Sequence, residues 1–141
     1  MADGYRLPLA VSSPQGTPVA VVLALHGFND YRASFKEPAS YLAGHGVITY
    51  AYDQRGFGET QQRGIWPGSN RMRDDAATVS RLLCEQYPDL PLFILGESMG
   101  GAVAMDMMQA YTDSCIAGVI LVAPAVWGWT TMPALQRSAL R

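Results

Sequence analysis

A chain of 141 residues that is 49% hydrophobic and 16% charged has the composition of a folded globular domain, long enough to bury roughly 70% of the surface its unfolded form exposes. Ten Lys and Arg against twelve Asp and Glu give a net charge of −2, which excludes the basic footprint of a nucleic-acid binder. Met1-Ala2-Asp3-Gly4 shows no secretory signal pattern and no run approaches the ~18 apolar residues of a spanning helix, so the expectation is a soluble, cytoplasmic protein without a transmembrane segment.

In chain order, the opening segment from Gly4 to Pro18 alternates Tyr5, Leu7, Leu9 and Val11 with other residues, the pattern of an antiparallel edge strand or a hairpin. Val19 to Leu25 is a continuous aliphatic run ended by His26-Gly27, which predicts a strand buried on both faces. Phe35, Ala39 and Leu42 share one helical face, with Gly44 placed to end that helix. Val47 to Tyr52 is the next strand, closed by Asp53 and the turn Arg55-Gly56-Phe57-Gly58.

A long loop with Trp66-Pro67-Gly68 follows, and Met72, Ala76, Val79 and Leu83 then mark a helix that stops before Pro88. Asp74 and Asp75 fall early in it, where a solvated face opposing the helix dipole accounts for them. Pro91 to Leu95 predicts a strand, Gly96-Glu97-Ser98-Met99-Gly100 a sharp turn, and Gly101 to Met105 the start of a helix. Gly118 to Ala123 is the last strand, stopped by Pro124. Strands that alternate with helices and are apolar on both faces imply a parallel sheet covered on both sides.

A serine on a strand–turn–helix junction has its hydroxyl pushed outward, and flanking glycines are required where the two backbones pass too closely for a Cβ. Ser98 is therefore the candidate nucleophile. Cys84 and Cys115 fall in predicted helical segments without metal-ligand spacing and read as buried free thiols, and no metal or organic cofactor is implied. His45, between two glycines, reads as a solvated turn residue, and Asp106 faces water. Glu97 adjoins the nucleophile on a tight turn, where neighbouring side chains diverge, so it reads as a packing residue.

Three patterns stand in a fixed order at successive strand ends: His26-Gly27-Phe28, Asp53-Gln54-Arg55-Gly56-Phe57-Gly58, and Gly96-Glu97-Ser98-Met99-Gly100-Gly101. Together they resemble the α/β-hydrolase superfamily, and within it the monoacylglycerol lipase and lysophospholipase-like branch grouped with the S33 serine aminopeptidases. The resemblance runs from about Asp3 to Pro124. It implies Ser98 as nucleophile, with the backbone amides of Phe28 and Met99 as oxyanion donors. It also implies that His26 supports the oxyanion loop instead of acting as base, and that the 53–58 turn is structural, with Thr60 where the pattern usually has Ser. The implied substrate is a small-molecule ester, lipid-like as in monoacylglycerols or lysophospholipids.

In that family the acid and then the histidine follow the nucleophile in the chain. Beyond the elbow helix this sequence holds one carboxylate, Asp113, and no histidine. Asp113 precedes the last strand, at the wrong end for the active face. Triad acid and base are therefore expected outside this chain, supplied in cis by a missing C-terminal half or by a second chain. Residues 1–124 read as the N-terminal part of an α/β-hydrolase core that lacks its C-terminal strands, and 125–141 as the start of a truncated cap. Trp127, Trp129 and Met132 suit an acyl-binding cap as well as an ordinary core. Chain 1–141 alone is then expected to be poorly active or inactive as a serine esterase, and a non-catalytic α/β-hydrolase-like binding or scaffold protein is the alternative.

Overall fold

The computed structural model describes residues 1, 3–111 and 115–126. Strand β1 spans Leu9–Ser12, β2 Ala20–Leu25, β3 Val47–Tyr52, β4 Leu92–Glu97 and β5 Ile116–Val122. A 3-10 turn, Arg32–Phe35, leads into α1, Lys36–Ala43; α2 is Ser69–Gln86 and α3 is Met99–Ala110. The sheet order is β1-β3-β2-β4-β5, with only β1 antiparallel to its neighbour. The opening segment is thus an antiparallel edge strand, with Leu9 opposite Tyr52.

Successive residues of β2 point to opposite faces, and the two faces bury different partners. Val21, Leu23 and Leu25 join Ile48, Tyr50 and Tyr52 beneath α2 and α3, where Met72, Ala76, Ala104 and Met107 close the larger core. Val22, Ala24 and Ala51 face the other way and meet Phe35 and Leu42 at α1. Since all six residues of β2 are buried, the continuous apolar run has the explanation the sequence suggests. Parallel pairing then brings the exits of β2, β3, β4 and β5 to one end of the sheet, where Phe28, Asp53, Ser98 and Pro124 follow them.

β5 forms the opposite edge. Ile120, Leu121 and Val122 are each at least 40% exposed, so this edge strand presents apolar side chains on its surface. The thiol expectation requires correction: Cys84 and Cys115 form a disulfide, with Cα atoms 6.0 Å apart. Thirty-one positions separate them, but Leu92 pairs with Ile116, which brings the start of β5 beside the end of α2. Cys115 sits in a turn before β5 and not in a helix. Trp127, Trp129, Met132 and Asp113 lie outside the described residues, as does all but Ala125 and Val126 of the expected cap. No helix among the described residues is long and apolar enough to cross a membrane.

Candidate active site

β4 runs straight into Ser98, whose backbone has φ 48° and ψ −111° before α3 begins at Met99. Positive φ in a non-glycine residue costs of order 1–3 kcal/mol and persists only where its surroundings over-determine it. Here they do. The Ser98 amide donates to Val122 O at 2.9 Å, and Ser98 O accepts from the amides of Ala102 at 3.2 Å and Ala125 at 2.9 Å. Three glycines permit the approach. A Cβ on Gly96 would stand 2.6 Å from Gly100 O, one on Gly100 would collide with Leu25 O, and one on Gly101 would stand 2.9 Å from Pro124 Cβ. The sequence folds this way because Gly96 of β4 and Gly100 and Gly101 of α3 carry no side chain where those elements meet each other, Leu25 and Pro124.

The exit of β2 abuts the elbow, since a Cβ added to Gly27 would lie 3.5 Å from Ser98 Cβ. Among the described residues the amides of Phe28 and Met99 donate to no other group. Met99 is the first residue of α3, where the positive end of the helix dipole adds to its donor strength. The Phe28 ring is exposed and meets Phe57 edge-on at 5.4 Å.

His26 is fully buried and both its ring nitrogens are engaged. Nδ1–H donates to Gly27 O at 2.8 Å, and Nε2 accepts from the Gln54 amide at 2.9 Å, which fixes the neutral tautomer. Burial pushes its pKa below the ordinary value. The Gln54 side-chain amide donates to His26 O at 2.7 Å, so Gln54 grips the histidine at both ends. The carbonyl that His26 holds belongs to the peptide whose N–H is that of Phe28, and this sets the plane of that amide. His45 is exposed and its Nδ1 bonds Tyr41 O at 2.9 Å, just before β3 and at the other end of the sheet.

The turn out of β3 is held by charges. Buried Asp53 accepts from the Arg32 amide and the Glu59 amide, both at 2.8 Å, and pairs with the Arg32 guanidinium. A Cβ on Gly58 would collide with that carboxylate. Arg55, itself buried, clamps Asp75 through Nε and through Nη2 at 2.8 Å, pairs with Asp3 at 2.8 Å, and lies 4.1 Å over the Tyr5 ring. Both partners raise the Arg55 pKa, and Arg55 in turn holds Asp3 far below the usual carboxylate range. Asp75 thus departs from the expected solvated face: it is buried and ion-paired, whereas Asp74 remains half-exposed and accepts from Tyr111 Oη at 2.9 Å. Thr60 is buried with Oγ1 donating to Phe57 O at 2.7 Å, a bond that needs only the hydroxyl Thr shares with Ser.

The structure brings Ser98, Met99 and Phe28 together at one end of the sheet. Asp106 is partly exposed, 3.9 Å from Arg73, and Glu97 is partly buried beside Gly27. Sequence reasoning did not single out Gln54, which bonds His26 twice, nor Ile65 and Trp66, which line a small cavity with Phe28 and Phe57. Among the described residues no cluster of His, Cys, Asp or Glu could hold a metal.

The model of the family described as serine aminopeptidase, S33, matches residues 16–141. The chain is 32% identical over 126 residues to monoglyceride lipase of Homo sapiens, covering 89% of this chain and 41% of that protein. It is 27% identical over 124 residues to monoacylglycerol lipase of Mycolicibacterium smegmatis, covering 87% and 44%. Among solved structures, a soluble variant of monoglyceride lipase from Saccharomyces cerevisiae superposes with a TM-score of 0.77 at 25% identity, over 86% of this chain and 42% of that one. A carboxyl esterase from Bacillus coagulans gives 0.74 at 27% identity, over 84% and 40%. The chain therefore spans about two fifths of the length of the relatives it matches, and with its mostly parallel sheet it belongs to the S33 serine aminopeptidase family of α/β-hydrolases.

Proposed function

We propose that this chain carries the nucleophile half of a serine hydrolase acting on carboxylic esters, with monoacylglycerols or lysophospholipids as the favoured class. The observation that carries the reading is Ser98 at positive φ on the β4–α3 junction, beside two amides that no other described group occupies. Ser98 Oγ attacks the ester carbonyl carbon and passes its proton to a histidine outside residues 1–141. The carbonyl oxygen becomes an oxyanion that accepts from the Phe28 and Met99 amides; one such donor is worth ~3 kcal/mol of barrier. Collapse expels the alcohol, which takes the proton, and water activated by the same histidine releases the acid from the acyl-enzyme. A non-catalytic binding or scaffold protein is the second reading. It is favoured by one observation: His26 is locked by two hydrogen bonds, and His45 lies at the far end of the sheet.

The test is hydrolysis of a monoacylglycerol, a lysophospholipid and a simple aryl ester by the whole protein that contains this chain. Ser98→Ala is expected to lower kcat by at least about 10⁴-fold while leaving the protein folded. Equal turnover by the variant would overturn the reading.

A further inference from the structure

Ser98 is not alone in its unusual backbone: Ala123, directly after β5, has φ 43°. Residues with a side chain adopt that region only where their surroundings hold them in it. The residue after Ala123 is proline, which biases its predecessor toward extended backbone, so the local sequence opposes the observed φ. Contacts from elsewhere in the chain must set it.

Those contacts come from Ser98. The chain bends at Ala123, and in a closed four-residue turn the amide of the fourth residue donates to the carbonyl of the first. Among the described residues no such bond closes 122–125. Ser98 stands in its place: its amide donates to Val122 O and its carbonyl accepts from the Ala125 amide, both at 2.9 Å. Pro124, between the two prongs, brings no N–H to compete for Ser98 O. It also lies against α3, since a Cβ on Gly101 would stand 2.9 Å from Pro124 Cβ. With its N–H and its C=O anchored to one short segment, Ser98 can rotate about its backbone bonds only by breaking one of the two. Its side chain makes no capping bond to α3, so the direction of Oγ follows from that backbone.

We propose that Ala123 and Pro124 are positioning residues for the nucleophile: they hold the exit of β5 open by the width of one peptide unit, and Ser98 takes its φ from that opening. The proposal rests on the reading of Ser98 as the attacking serine. At positive φ a residue with a Cβ is confined to a narrow well, so the opening has one width; a glycine there would not be confined.

The experiment uses the whole protein that contains this chain, with Ala123→Gly, Ala123→Asn and Pro124→Ala. Asparagine keeps a Cβ and tolerates positive φ, and position 123 is exposed, with room for the longer side chain. Ala123→Gly is expected to lower kcat for an aryl ester at least about tenfold with KM unchanged, because a misplaced Oγ binds substrate but attacks it poorly. Hydrogen exchange of the Ser98 amide should quicken by at least about tenfold in the same variant, while the urea midpoint stays that of the wild type. Ala123→Asn should keep the wild-type kcat and Ser98 protection. Pro124→Ala, which frees φ and adds an N–H beside Ser98 O, should lower kcat as Ala123→Gly does. Wild-type kcat in Ala123→Gly or Pro124→Ala, unchanged exchange at Ser98, equal losses in the Gly and Asn variants, or a loss of kcat that only follows a loss of folded protein would each overturn the positioning role. A wild type that turns over no ester would overturn the Ser98 reading instead, and exchange at the Ser98 amide would still decide whether residues 123 and 124 hold it.

Discussion

The turns that leave β3 and β4 lie at one end of the sheet, on either side of the exit of β2, and are held in opposite ways. At 53–60 every charge is answered: Asp53 by Arg32 and two amides, Arg55 by Asp75 and Asp3. At 96–101 no charged pair takes part among the described residues; close approach of glycine backbones to Leu25, Pro124 and one another fixes the geometry. A turn whose polar side chains hold one another has none left for a substrate. A turn fixed through its backbone leaves the side chain at its apex, Ser98, available for chemistry.

The contrast can be broken first at Arg55. Replacing it with Met leaves the Asp75 carboxylate buried without its cation and is expected to cost 3–5 kcal/mol, measured by urea denaturation. The double variant Arg55→Met/Asp75→Leu should recover most of that loss, because the charge in need of a partner is gone. If Arg55→Met were neutral, the turn would not be charge-locked. Gly100→Ala probes the other mode: its methyl would collide with Leu25 O, and a loss of about 3 kcal/mol is expected, the upper end of overpacking costs. Ala at Gly16, whose Cβ would meet nothing and whose φ is not positive, should change stability by less than about 0.5 kcal/mol.

The smallest effect sharpens the role of His26. Its folded pKa lies below the unfolded value near 6.5, so the unfolded chain binds more protons as pH falls through that value. Stability should be fully present above about pH 6.5 and decline below it, at up to about 1.4 kcal/mol per pH unit, until the folded pKa is reached. In His26→Gln this slope should disappear between pH 6.5 and 5. A wild-type protein equally stable at both values would contradict a neutral, locked His26.

Most of the fold was legible because its signals are local: an unbroken aliphatic run for β2, alternating three- and four-residue spacing of apolar residues for α2, and Gly-x-Ser-x-Gly after a strand for the β4–α3 turn. What escaped depends on contacts far apart in the chain. Asp75 lies next to Ala76 on the buried stripe of α2, a place that requires a cation, yet nothing local marks Arg55 twenty positions earlier as its partner. The Cys84–Cys115 bond follows from the pairing of β4 with β5, which neither cysteine's neighbours reveal. Gln54 was hidden in a turn whose recognisable positions are its neighbours Asp53 and Arg55. Its side chain matters here because it meets the carbonyl of His26.

The central claim is that Ser98 is a positioned nucleophile whose base lies beyond residues 1–141. Fluorophosphonate labelling with mass-spectrometric mapping of the adduct tests it most directly. The account predicts rapid modification confined to Ser98 in the whole protein, abolished by Ser98→Ala, and slow or no modification of residues 1–141 alone. Equally rapid labelling of the 1–141 chain would place a working base within it and contradict the account, as would an adduct on any other residue.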